Sequence, residues 1–281
     1  MVLIKTLSEY KNKSFDILEF DNNFNEKIKI SNNIKKVKFG HNFNKKIIIP
    51  NSVTHLTFGY NFNQKIIIPN SVTHLTFEYN FNKKIIIPNS VIHLTFEDRF
   101  NTKIEISNKI ITFIYPYESN IIKKININNV LELNILNKNL KNVNELGNVH
   151  KLDLSDCENI TDVSKLGNVY ELNLSYCKNV IDVSKLGNVH TLDLSYCDKI
   201  TDVSKLGNVN TLNLSCCDKI TDVSKLGNVH TLDLSNCNKI TDVSKLGNVH
   251  TLNLYNCNKI TDVSKLGNVY ELNLSCCNKI E

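Results

Sequence analysis

The chain has 281 residues, of which 41% are hydrophobic, with nine Cys, no Trp and a formal net charge of +5. That is enough apolar material for a substantial core, yet no apolar run nears the ~20 residues that a membrane-spanning helix needs. Charge is uneven: residues 1–145 hold 20 Lys+Arg and 12 Asp+Glu, a net +8, while residues 146–281 hold 13 and 16, a net −3, together the +5 of the whole.

The opening MVLIKTLSEYKNK lacks the basic start, apolar stretch and small-residue cleavage site of a secretory signal. Without one, nine Cys point to a reducing compartment, cytoplasmic or nuclear and not secreted. Residues 1–14 are expected to cap the first coil as a short helix or strand. Over 15–117, Phe-Asn pairs begin at Phe24, Phe43, Phe62, Phe81 and Phe100, one every 19 residues, in units such as FNKKIIIPNSVTHLTFGYN. Residues 118–145 read as transition coils. Over 146–281 the unit is 20 residues long, with LGNV at Leu146, Leu166, Leu186, Leu206, Leu226, Leu246 and Leu266.

Both repeats share one phase. The first residue of each apolar-x-apolar segment falls at Leu18, Val37, Leu56, Leu75, Leu94, Phe113, Leu133, Leu152, Leu172, Leu192, Leu212, Leu232, Leu252 and Leu272, always 19 or 20 apart. A coil this short cannot bury its own apolar face, whereas stacked coils cover one another. The expectation is one continuous β-rich solenoid of parallel strands in about 14 coils, with short turns or 3-10 segments on the convex side. Val189, Leu192, Leu194, Ile200, Val203 and Leu206 should point inward, and Phe43, Phe62 and Phe81 should form an internal aromatic spine. Ile66–Ile68 is expected as a second strand-like edge, and Gly187 as the site of a left-handed or tight turn. Asp202 should accept backbone amides and pair with Lys205. The abundance of Asn, Ile and Lys reads as the mark of an AT-rich genome.

The 20-residue unit resembles the leucine-rich repeat: Val189, Leu192, Leu194 and Cys197 fill the first four positions of L-x-x-L-x-L-x-x-N/C-x-L. Ile200 falls one place late, and with Thr201-Asp202 this resembles the short cysteine-containing subclass. The 19-residue unit, through Phe62-Asn63 and Ile68-Pro69, resembles the FNIP repeat of amoebae and their giant viruses. The resemblance implies an α/β-class leucine-rich-repeat protein acting as a binding module.

Several residue rows carry candidate chemistry. Cys157, Cys177, Cys197, Cys217, Cys237, Cys257 and Cys277 form a line with parallel Cβ vectors, which suits neither a zinc site nor disulfides, and the resemblance implies an inward stack near backbone amides; Cys216 and Cys276 fall outside this ladder. Asp153, Asn173, Asp193, Asn213, Asp233 and Asn253 alternate, which relieves stacked like charge and holds carboxylates two coils apart, too far to share a proton or metal. Ser175, Ser195, Ser215 and Ser235 lie beside them with Tyr255 as the odd member, but no nucleophile elbow or oxyanion loop is present. The expected partner-binding face comprises Tyr170, Tyr176, His190, Asp193, Tyr196, His230, Asp233, His250, Tyr255 and Tyr270, a flat polar surface with aromatic anchors. In the first half, His55, His74 and His93 align beside Thr57, Thr76 and Thr95. Lys27, Lys46, Lys65, Lys84 and Lys103 also align, with Lys46, Lys65 and Lys84 as a candidate polyanion stripe.

The reading is a non-enzymatic protein-interaction scaffold with no cofactor, no metal and no membrane partner. One alternative is a polyanion (nucleic acid) binder through the basic half, although no nucleic-acid motif supports it. The other, from the resemblance, is a substrate-receptor-like or decoy component of a ubiquitin ligase pathway, since about 14 residues before the first coil leave no room for an F-box. The uncapped C-terminal edge is a candidate for self-association.

Overall fold

A computed structural model describes residues 2–4, 16–97, 100, 102, 110–115, 130–135 and 140–280. Residues 1 and 5–14 of the expected cap, most of the transition segment and Lys103 lie outside them. Two compact units divide the chain, Met1–Asn137 and Lys138–Glu281.

In the first unit, β1 (Val2–Ile4), β2 (Ile17–Phe20), β3 (Lys36–Lys38), β4 (His55–Phe58), β5 (His74–Phe77), β6 (His93–Phe96), β7 (Ile110–Tyr115) and β8 (Val130–Ile135) pair in sequence order, all parallel. The second unit repeats the pattern with β9 (Lys151–Asp153), β10 (Glu171–Asn173), β11 (Thr191–Asp193), β12 (Thr211–Asn213), β13 (Thr231–Asp233), β14 (Thr251–Asn253) and β15 (Glu271–Asn273). The register follows the periodicity of the sequence: Leu56 lies opposite Leu75, and Leu192 opposite Leu212. Among the described residues this is a parallel-strand solenoid of about 11 turns, not about 14. An apolar triplet marks a strand, but a turn also needs a return segment that closes onto the next strand. No helix, α or 3-10, occurs among the described residues; the convex side consists of turns and extended chain.

The first unit has an aromatic core. Phe43, Phe62 and Phe81 stack at 6.1 Å between ring centroids. A second row, Phe58, Phe77 and Phe96 at the strand ends and Phe39 just past β3, interleaves with the first, so that Phe58–Phe62 and Phe77–Phe81 lie 3.9 Å apart. The Asn residues around each spine Phe have a structural task and are not mere compositional bias. Asn61 Nδ2 donates to Asn42 Oδ1 at 3.1 Å, and the Asn63 amide donates to Asn44 Oδ1 at 3.0 Å. Each coil therefore satisfies its neighbour's turn.

The second unit has an aliphatic core. Val189, Leu192, Leu194, Ile200, Val203 and Leu206 are all 0–2% exposed. The ladder thiols of Cys177, Cys197, Cys217, Cys237, Cys257 and Cys277 each donate to a carbonyl of the preceding coil, as Cys197 Sγ does to Leu174 O at 3.2 Å. Backbone amides of the preceding coil also face the stack, that of Cys177 lying against the Cys197 thiol, so the sulfurs sit among both carbonyls and amides.

Three expectations need correction. Gly187 is not left-handed, since no glycine has positive φ; a Cβ there would collide with the Lys205 carbonyl of the next coil, so glycine is required by close approach. Ile66–Ile68 joins no ladder, and only Ile68 of the three is buried. Asp202 Oδ1 accepts the Ser204 amide at 2.8 Å as expected. No ion pair links Asp202 to Lys205; the exposed carboxylate is already held by its own turn.

Candidate functional site

The strand face of the second unit presents three parallel columns. The central column contains the Asp and Asn residues, whose alternation is a hydrogen-bonded ladder. Asp193 Oδ1 accepts the Ser195 amide at 2.8 Å, and its Oδ2 accepts Asn213 Nδ2 at 3.0 Å. Asp233 does the same with Ser235 at 2.8 Å and Asn253 at 2.9 Å. Both carboxylates are thereby committed to structural bonds and do not converge.

The second column precedes each strand. Tyr170 lies between His150 and His190 at 4.8 and 4.5 Å. Beyond Asn210 the column resumes, His230–His250 at 4.6 Å and His250–Tyr270 at 4.8 Å, with Tyr270 76% exposed.

The third column follows each strand and was not legible as such in the sequence. Asp156, Tyr176, Tyr196, Cys216, Asn236, Asn256 and Cys276 all have φ between 58° and 62°. Asp and Asn tolerate this left-handed conformation, but bulky residues are outliers there. The Asn and Asp members were the available signal; Tyr and Cys at the same phase masked it. Backbone bonds from the Tyr176 amide to Ser195 O and from the Tyr196 amide to Ser215 O, both 2.9 Å, hold the turn. The Tyr176 and Tyr196 rings stack at 4.3 Å. The Cys216 side chain, then Tyr176, push the Tyr196 hydroxyl up to about 12. Tyr255, on the Ser row, is 41% exposed, and its amide donates to Asn253 Oδ1 at 3.0 Å.

Catalytic groupings do not assemble among the described residues. Ser195 and Ser235 are buried, and His190 and His230 Nδ1 face Thr191 and Thr231 Oγ1 at 3.3 Å instead of a serine. Burial pushes the Cys177, Cys197, Cys217 and Cys237 thiols far up and Cys257 up to about 11, away from nucleophilic thiolate. No group of three His, Cys, Asp or Glu side chains converges on a point among the described residues.

In the first unit, His55, His74 and His93 stack at 4.1 and 4.2 Å. The Thr57, Thr76 and Thr95 row lies in register beside them, and the Thr54 and Thr73 hydroxyls meet the Nδ1 atoms of His55 and His74 at 2.9 Å. Burial, then Lys36, lowers the His55 pKa; burial, then His55, lowers that of His74. Lys46, Lys65 and Lys84 are exposed on the opposite, convex side.

The FNIP Repeat family matches residues 24–61, 43–80, 62–96 and 81–108, and the Leucine Rich repeat family matches 188–204. No curated protein matches the chain by sequence. Among solved structures, CroV588, a circular leucine-rich-repeat protein of a giant virus, aligns with a TM-score of 0.61 at 22% identity, over 85% of this chain and 43% of its own. The chain thus spans less than half of that protein's length. The internalin inlF of Listeria monocytogenes aligns with a TM-score of 0.43 at 17% identity over 82% of this chain and 80% of its own. The Leptospira interrogans protein LIC12759 aligns with 0.39 at 18% over 87% and 68%. The chain has the leucine-rich-repeat solenoid fold, and its residues 24–108 match the FNIP Repeat family.

Proposed function

We propose that the chain is a non-enzymatic recognition scaffold that binds another protein through the strand face of its 20-residue coils. The observation that carries this reading is the Tyr176–Tyr196 pair. Its members occupy left-handed positions that Asn or Gly would fill at lower conformational cost. They still expose 38% and 40% of their surface. Rings fixed before binding lose little entropy on contact, which is what aromatic anchors require. Tyr170, Tyr255, Tyr270, His190, His230 and His250 extend the aromatic rim, and Asp193 and Asp233 give it a polar floor. Placement in the cytoplasm or nucleus belongs to the same reading, because nine free thiols persist in a reducing compartment. A role as substrate receptor or decoy in a ubiquitin ligase pathway is one form this recognition could take.

The test is affinity capture from host-like extract with the full chain and with a Tyr176→Ser/Tyr196→Ser/Tyr255→Ser variant. A saturable protein partner should be lost with the variant while the melting temperature holds. Recovery of the same proteins by both overturns the reading. The second reading, polyanion binding, draws support from Lys46, Lys65 and Lys84, which are exposed and outside every ion pair among the described residues.

A further inference from the structure

We infer that the convex face of the 19-residue coils docks on an anionic lipid bilayer, through a column of projecting isoleucines beside a column of exposed lysines. Ile48, Ile67 and Ile86 are 88%, 88% and 83% exposed. Exposed Lys46, Lys65 and Lys84 lie two residues before them, and alternate residues of extended chain face the same way. The inward alternates Ile49, Ile68 and Ile87 are only 4–5% exposed. The coil therefore needs its inward isoleucine but not its outward one. The preceding coil shows this directly: Lys27 and Lys29 occupy the two outward places while Ile30 stays 3% exposed.

Coil stacking at about 4.8 Å brings these positions into adjacent columns, Lys27–Lys46–Lys65–Lys84 and Lys29–Ile48–Ile67–Ile86. None of these lysines joins an ion pair among the described residues. Among the described residues, the convex side of the second unit exposes Ile181 alone, at 58%, where its neighbours carry Thr201, Thr221 and Thr241. An exposed aliphatic column is therefore not a demand of the fold.

The chemistry selects the occupant. Lipid headgroups rearrange around projecting aliphatic side chains, and ammonium groups at the same level attract anionic headgroups. Protein interfaces favour Tyr, Trp and Arg and are depleted in Lys. Nucleic acid would use the lysines but gains nothing from three aliphatic side chains that cannot stack on bases as aromatic rings do. A second copy of the same face would bring two lysine columns together. That no described helix is long and apolar enough to cross a membrane bears on spanning, not on surface contact. The inference uses a different unit from the tyrosine face, so the two fail independently.

The experiment is sedimentation of the full chain with vesicles of phosphatidylcholine alone or with phosphatidylserine added. Phosphatidylserine-dependent binding is expected, weakening with salt. It should fall about tenfold or more in Ile48→Ser/Ile67→Ser/Ile86→Ser and comparably in Lys46→Gln/Lys65→Gln/Lys84→Gln, with unchanged melting temperatures in both. Ile67→Thr, a milder change, should give an intermediate loss. Absence of phosphatidylserine-dependent binding overturns the inference. So does vesicle binding that the Ser variant leaves intact, which would mark a plain polyanion surface retained equally on RNA. A wild-type dimer that the Ser variant converts to monomer would assign the isoleucines to self-association instead.

Discussion

In the first unit the coils adhere through two interleaved rows of Phe rings and through Asn side chains that bond across coils; in the second they adhere through aliphatic side chains, one thiol per coil and a glycine pressed against a carbonyl. Both produce the same parallel ladder. What differs is where tolerance lies. An aromatic spine concentrates burial in few large side chains, whereas the aliphatic coil spreads it over six smaller ones and depends on tight backbone contact. Repeat proteins sum such local contributions along the stack, so damage should stay within the unit that suffers it.

The largest effect is expected in the aromatic unit. Phe62 is 0% exposed and touches ring neighbours on both sides and within its own coil. Phe62→Ala should cost about 3–5 kcal/mol, read as a lower denaturant midpoint for one of two unfolding transitions. A loss equal to that of Val209→Ala in the second unit would contradict the comparison.

A smaller effect should separate two glycines of the second unit. A Cβ on Gly207 collides with the Lys225 carbonyl, whereas nothing lies within 4 Å of one on Gly267. Gly207→Ala should destabilise by about 1–3 kcal/mol and Gly267→Ala should be neutral or slightly stabilising in thermal melts. Equal effects would show that the glycine serves the turn and not the coil contact.

The smallest effect is a pH dependence confined to the first unit. His55 and His74 have pKa values lowered below 6.5 by burial, and His55 also by Lys36. Their neighbours on the strand face are His93, Thr112 and, beyond it, Glu132. Between the lowered folded value and 6.5 the unfolded chain binds more protons, so stability is full above 6.5 and declines as pH falls through that window. Melting the chain at pH 7.5 and pH 5 should show the shift in the first transition, and His74→Gln should shrink it. An identical shift in the second transition would assign it elsewhere.

Much of this was legible in the sequence because solenoid packing is local. Constant spacing of inward Leu, Val and Phe determines strand order, direction and register within each unit, since any slip would turn apolar side chains outward. The conformation of a single residue inside a turn is not set that way. That Tyr176 and Tyr196 sit at positive φ, that Gly187 answers to a carbonyl in the next coil, that Asn213 donates to Asp193, and that Ile48, Ile67 and Ile86 point to solvent while Ile49, Ile68 and Ile87 are buried all depend on how the next coil is laid down. Periodicity states which residues are equivalent; only the stacked backbone decides what each equivalent set touches, because hydrogen bonds and close contacts act over a few ångströms between segments some 20 residues apart in the chain.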